Sequence, residues 1–248
     1  MSEQEKKLLD EFAEMEEEKG ISSKTQKEKG YQIHEVEILQ SRNLFGREKG
    51  IYTTITFDRD YEGQSIVLSQ YMRGLLKKKG YRPSSRVLLV GLGNQSFVCD
   101  SLGPQVIVNL SREVLKKQVK CFAPNVYGVT GLETQEMIHS IVKSFHIQYI
   151  ILVDSLVTSK EERLFYAYQL SNTGIQPGSG LHKKRKAITE KTMGIPVFTL
   201  GVATVIDIQK DDLYTKKEVD SEVERMSLII AETFHLLFAK TPQGKEKI

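Results

Sequence analysis

Two short, unbroken apolar runs, Val87-Leu88-Leu89-Val90 and Tyr149-Ile150-Ile151-Leu152-Val153, restrict the fold of this chain more than any other feature. Successive side chains of a strand point to opposite faces, so a run that is apolar at every position needs cover on both. A parallel strand between two layers of helix meets that need. The residues between the runs agree with it. Pro104 stands where a first helical turn would begin and is followed by Val106, Leu110, Val114 and Leu115. Val119 to Ala123 reads as a short strand closed by Pro124, and Glu133 to Phe145 spaces Met137, Ile138, Ile141, Val142 and Phe145 as the inner stripe of a helix. The order is βαβαβ.

The flanks extend this core. His34 to Ile38 and Tyr52 to Thr56 read as a hairpin with its turn at Phe45 to Gly50, and Ser65 to Lys79 as a helix carrying Ile66, Leu68, Met72, Leu75 and Leu76 before Gly80 stops it. After Asp154 a polar stretch leads to an aromatic strand at Leu164 to Leu170. A glycine-rich loop from Ser171 to Gly180 and a basic run at Lys183 to Lys186 follow, then a strand at Pro196 to Leu200 and a long helix at Val219 to Phe238. The expected fold is an α/β three-layer sandwich with a mostly parallel central sheet and an N-terminal hairpin.

Charge divides the chain unevenly. The formal net charge is +3, but the first twenty residues hold eight acids and three lysines, a balance of −5 that leaves +8 on the remainder. Leu8, Phe12 and Met15 give that acidic segment one narrow helical stripe, which Gly20-Ile21-Ser22-Ser23 ends. The expected division is an acidic arm over 1–20 and a single α/β domain over 21–248. Cys99 and Cys121 have no CxxC spacing, and no apolar run approaches the ~18 residues of a membrane span. Zinc fingers, secreted disulfide scaffolds and membrane spans are therefore not expected.

In an open α/β sheet, reactive groups collect at the C-terminal ends of the parallel strands. Asp100 lies in the connection that leaves the first apolar run, and Asp154 directly follows the second. Two carboxyls held together in a partly dry cleft do not both ionise, so one keeps a proton and the pair can serve as acid and base toward an amide. The competing reading makes Asp100 a helix N-cap and Asp154 an acceptor for loop amides. Gly91-x-Gly93 lacks the third glycine of a dinucleotide loop, so no such cofactor is expected. Cys99 has no histidine fixed near it and reads as a packing residue.

Gly91-Leu92-Gly93-Asn94 followed by Asp100-Ser101-Leu102-Gly103-Pro104 resembles the signature of the germination protease family. Further stretches are similar: Gly128 to Thr134, Asp154-Ser155-Leu156, Ser171 to Ile175 with Pro177 to Gly180, Lys184-Arg185-Lys186, Gly194 to Val197, and Thr204 to Asp207. Ala203 departs from the proline usual there, and full-length members carry a longer C-terminal segment. The resemblance implies the sandwich fold of hydrogenase maturation proteases and an endopeptidase with Asp100 and Asp154 as catalytic residues, without cofactor or metal. The expected substrates are small acid-soluble spore proteins, and the expected setting is the cytoplasm of the forespore or spore core. A homo-oligomer is expected; direct nucleic-acid binding and a membrane partner are not. Substrate contacts are expected from Asn94, Thr130, Glu133, Ser179, Lys184 and Arg185, the last two in a basic clamp for acidic side chains. The arm resembles the family's substrate sites at Asp10-Glu11-Phe12-Ala13-Glu14, which implies a propeptide removed between Glu11 and Phe12. Two alternatives keep the fold: a metal-dependent enzyme drawing on His182, and a non-catalytic sporulation paralogue.

Overall fold

The computed structural model describes residues 20–40, 48–112, 114–115, 118–177, 185–207 and 213–238. The arm up to residue 19, with Glu11 and Phe12, lies outside them, as do Ser179, His182 and Lys184.

Among the described residues nine strands form one sheet: β1 (Ile21–Glu28), β2 (Tyr31–Ile38), β3 (Gly50–Phe57), β4 (Val87–Gly91), β5 (Val119–Phe122), β6 (Tyr149–Thr158), β7 (Ala167–Ser171), β8 (Val197–Asp207) and β9 (Leu213–Tyr214). Their order is β1-β2-β3-β7-β8-β6-β4-β5, with β9 beside β8. The four strands β8, β6, β4 and β5 are mutually parallel, and β1, β2, β3, β7 and β9 join antiparallel. The parallel arrangement is thus confined to the core that the apolar runs define. The expected hairpin is β2–β3, and it continues the sheet because β3 pairs with β7.

The α-helices of the described residues are α1 (Gln64–Lys78), α2 (Leu102–Asn109), α3 (Tyr127–Thr130), α4 (Thr134–Phe145), α5 (Glu190–Met193) and α6 (Val219–Phe238). Strand alternation sorts them into two layers. Leu89, Ile151, Val153, Phe198 and Leu200 pack with Met72 of α1, Val106 of α2, and Met226 and Phe234 of α6. Leu88, Val90, Ile150, Leu152 and Val197 face the other way, toward Ile138 and Val142 of α4 and Met193 of α5. Helix, sheet and helix make the three layers. Within α4 the buried stripe is narrower than the spacing suggests, since Phe145 is 52% exposed, and on α1 Ile66 is 54% exposed while Val67 is buried.

Three local expectations are corrected. β1 reads only as the end of the arm because Ile-Ser-Ser-Lys-Thr-Gln-Lys-Glu has one apolar residue; the strand forms as a solvated edge paired from Ile21↔Ile38 to Glu28↔Tyr31. The aromatic strand starts at Ala167 rather than Leu164. Before it the chain turns through Phe165 at φ 68°, whose N–H donates to the Ala203 carbonyl and whose carbonyl accepts from Arg225. Most consequential, β6 does not stop at Val153. It runs on against β8 to Thr158↔Ile206, whereas its pairing with β4 ends at Gly91↔Val153. Asp154 is inside a strand at the point where one neighbour leaves.

Two glycines of the signature, Gly91 and Gly103, are a packing device. A Cβ on Gly91 would lie 2.1 Å from the Gly103 carbonyl oxygen, and one on Gly103 would lie 2.2 Å from the Leu92 oxygen and 2.7 Å from the Val153 oxygen. The start of α2 therefore touches the backbone of β4 and β6 directly. We expect Gly103→Ala to destabilise the fold by about 3 kcal/mol or more. Gly74→Ala, at an exposed α1 position where the new Cβ meets nothing within 4 Å, should stabilise it by up to about 1 kcal/mol. Urea unfolding of the two variants measures both.

Candidate active site

The chain leaves β4 toward β5 through α2, while β6 lies on the opposite side of β4. The gap between β4 and β6 is the switch point of the parallel core, where α/β sheets open a crevice. Both aspartates lie at its rim.

Asp100 is carried by a tight turn. Gly93, at φ 120°, brings the backbone against the Asp100 carbonyl so closely that a Cβ would stand 1.9 Å from it. The Asn94 N–H donates to that carbonyl at 2.9 Å and to Asp100 Oδ2 at 3.0 Å, and Asn94 Oδ1 accepts from the Ser96 N–H. Asp100 is therefore not the cap of α2. That place falls to Ser101, which makes no side-chain capping bond. The turn is tied to β8 by Thr204, whose hydroxyl donates to the Cys99 carbonyl at 2.7 Å. Thr204 is fully buried and has no Cα partner on β6, because the register shifts between Leu156↔Ala203 and Val157↔Val205.

Asp154 faces the α4 side of the sheet, in step with Leu152, and its Oδ1 accepts from the Ser155 N–H at 3.0 Å. Burial raises the Asp100 carboxyl to about 6, against the pull of the Asn94 N–H. Burial and then the Asp100 charge raise Asp154 to about 8, opposed by the Ser155 N–H. Two acids close enough to feel each other in a dry setting thus titrate apart. Both shifts favour a pair that keeps a proton in the neutral range. The Cys99 thiol is pushed up by burial and by Asp100, which disfavours the thiolate a nucleophile needs.

Of the other expected residues, Thr130, Glu133 and Arg185 stand apart from the two aspartates. Arg185 reaches Glu133 at 3.7 Å and lies 4.3 Å over the Tyr127 ring, and Lys186 pairs with Glu136. These contacts tie the excursion between β7 and β8 to α3 and α4. The Thr130 hydroxyl is used within its own loop, donating to the Val126 carbonyl and accepting from the Leu132 N–H. Among the described residues, no three of His, Cys, Asp and Glu gather as a metal site. A wider groove between β2–β3 and α1, lined by Glu35, Thr53, Tyr71 and Lys78, opens on the opposite face from Asp154.

A narrow slot beside Asp154 escaped the sequence reading. It is lined by Gly201 and Thr199 of β8, Gln169 and Ser171 of β7, and Leu156. Its signal was the period-two pattern of small and polar residues in Thr199-Leu200-Gly201 and Gln169-Leu170-Ser171.

Fold and site define an α/β protein with two buried carboxyls at the switch point of its sheet. The chain belongs to the germination protease family, whose model matches residues 1–212. Germination proteases of Caldanaerobacter subterraneus subsp. tengcongensis, Oceanobacillus iheyensis and Bacillus subtilis are 33%, 36% and 33% identical to it over 231, 209 and 209 residues. Those stretches cover 84%, 76% and 76% of this chain but 71%, 57% and 57% of the relatives, so the match spans little more than half of the latter two. Among solved structures, the NiFe hydrogenase maturation protease HycI of Thermococcus kodakarensis KOD1 aligns over 66% of this chain and 98% of its own, with a TM-score of 0.43 and 15% identity. No helix among the described residues is long and apolar enough to cross a membrane.

The raised carboxyls have a consequence for stability. The folded-state value of Asp154, about 8, lies above the ordinary aspartate value of 3.8, so holding it folded carries no penalty below about pH 4 and a growing one up to about pH 8. Asp154→Asn, which retains an acceptor for the Ser155 N–H, should therefore be more stable than the parent by a few kcal/mol at pH 8.5 and close to it at pH 4. Denaturant midpoints at the two pH values check this.

Proposed function

We infer that this chain is an endopeptidase that hydrolyses peptide bonds with water activated by Asp100 and Asp154. The observation carrying this reading is that the Asp100 turn and the Asp154 strand position bring two carboxyls, both raised by burial, together at the switch point of the sheet. Near neutral pH the Asp100 carboxylate takes a proton from water as the water oxygen bonds to the substrate carbonyl carbon. Asp154 donates its proton to the departing amide nitrogen as the C–N bond breaks. The two acids exchange roles in protonation and the resting pair is restored by one proton transfer through solvent. The proposed substrates are small acid-soluble spore proteins and the proposed setting is the forespore or spore core, a reading that the relatives' name, germination protease, supports without specifying. A homo-oligomer and a propeptide ending at Glu11 belong to the same proposal.

Asp100→Asn and Asp154→Asn should each lower kcat/KM on spore-protein peptides by 10³-fold or more, as expected when an acid or base is lost from a cooperating pair. Both variants should keep the parent's circular dichroism. Near-parental turnover by either would remove that residue from the mechanism. Below about pH 6 the base is protonated and above about pH 8 the acid is ionised, so the parent's kcat/KM should be bell-shaped between those limbs. Activity that is lost on chelation and returns with zinc would assign the water to a metal instead. Incubation of the purified chain should expose Phe12 as a new N-terminus, and should fail to do so in the Asp100→Asn protein.

A further inference from the structure

The edge of the sheet opposite the two aspartates concentrates the protein's unbalanced charge. Four segments enter the parallel strands at their N-terminal ends: 77–86 before β4, 110–118 before β5, 143–148 before β6 and 190–196 before β8. Together they hold ten lysines and arginines against two glutamates. That balance of +8 equals the balance of residues 21–248 as a whole, so the rest of the domain is neutral. The segments are distant in sequence, and parallel pairing alone sets them side by side.

Hydrogen bonds join these segments into one surface. The Arg86 N–H donates to Gln148 Oε1 at 3.0 Å, and its Nε donates to the His146 carbonyl at 2.6 Å. The Tyr149 hydroxyl donates to the Lys79 carbonyl at 3.1 Å. Lys79 Nζ reaches Glu190 at 2.6 Å, which links the end of α1 on one side of the sheet to α5 on the other. The strip therefore spans both helical layers. With strands ~4.8 Å apart and a helical layer ~10 Å from each face, it measures roughly 15 by 20 Å.

The fold itself leaves most of these cations without work. The last carbonyls of α1, on Leu76 and Lys77, accept from the N–H groups of Lys79, Gly80 and Tyr81, so its lysines are not needed as caps. The helix macrodipole accounts for a cation in the last turn of α1 or α4, but not for Arg82 and Arg112, which lie beyond helix ends. Lys77, Lys78, Arg82, Arg112, Lys143 and Lys191 are exposed, and among the described residues no carboxylate pairs with any of them. A strip of like charges held this close repels itself until an anion of matching spacing lies on it. Phe145 and Leu115 are the half-exposed apolar side chains beside it. Two isolated residues do not make the continuous apolar face that a lipid surface needs, whereas one aromatic suffices to rest on a sugar or a base.

We propose that this edge is a second binding surface, which takes nucleic acid through its phosphates without reading sequence. A duplex presents one phosphate per ~1.7 Å of its axis, so a strip of this size meets several at once. The inference goes beyond the endopeptidase reading and does not depend on it, because the strip lies at the N-terminal ends of the strands whose C-terminal ends carry Asp100 and Asp154. The sequence has no nucleic-acid-binding motif to announce such a partner, since the strip exists only once the four strands are paired.

Fluorescence anisotropy of the full chain with a labelled DNA duplex of about 20 base pairs, and with one of its strands alone, tests this. At least one form should bind with a micromolar Kd at about 50 mM salt and weaken about 100-fold at about 200 mM, as for roughly four displaced counterions. Lys77→Gln, Lys78→Gln and Arg82→Gln combined should weaken binding by about 30-fold or more and flatten the salt dependence. Lys143→Gln with Lys191→Gln, on the other helical layer, should cost about 10-fold independently, so the test survives if the first variant folds poorly. Lys24→Gln, Lys27→Gln and Lys29→Gln combined remove the same charge from exposed positions on β1 and its turn. They should change Kd by less than about 3-fold. Asp100→Asn should bind as the parent does. Equal losses in the two triple variants would reduce the effect to net charge and overturn the proposal. So would no binding of either DNA form at about 50 mM salt, or tighter binding of polyglutamate or of anionic phospholipid vesicles than of DNA.

Discussion

The contact between the first residues of α2 and the backbone of β4 and β6 is the constraint on which the rest of this molecule depends. Gly91 and Gly103 let main chain meet main chain where any side chain would force the layers apart. With α2 seated there, the Leu92 N–H reaches the Val153 carbonyl at 2.8 Å, one residue before Asp154. The loop between β4 and α2 then has little length to spare and folds into the turn that holds Asp100. Both acids owe their positions to the same two missing side chains. Burial follows from that closeness, and the raised carboxyls follow from burial.

Strand alternation does the remaining sorting. One face of the sheet carries the larger apolar core and takes α1, α2 and α6. The other is apolar under α4 and turns to hydroxyl, amide and glycine over β8, β7 and β3. A single strand, β8, serves both purposes: Phe198, Leu200 and Val202 point into the core while Thr199 and Gly201 line the slot. The polar face beside Asp154 is thus the continuation of a structural face.

How much of this was legible in the sequence differed with the strength of the local signal. Val87–Val90 and Tyr149–Val153 were unmistakable as buried strands because every position is apolar. The long helix at Val219–Phe238 and the break at Gly80 were equally plain. β1 was not, since seven of its eight residues are polar and only pairing to β2 makes it a strand. The extension of β6 through Asp154, Ser155 and Thr158 was hidden for the same reason, because a polar stretch after an apolar run reads as a loop until its partner β8 is known. The motif located Asp100 and Asp154 together, but the part its glycines play needed coordinates. Gly103 matters because of Leu92 and Val153, and those neighbours are 11 and 50 residues away. The slot was missed because its residues come from four strands and a loop, none of which carries a motif by itself.

The placement of the two acids on different kinds of support has one more consequence. Asp154 is a rung of a ladder that continues to Thr158, so displacing it means unzipping β6 from β8. Asp100 rides on a turn held by the Asn94 N–H and by the single latch from Thr204 to Cys99. The site resembles a bench vice with one fixed jaw and one sliding jaw. Any change in the gap between the carboxyls falls to the turn, and the latch on Thr204 sets how far that jaw travels.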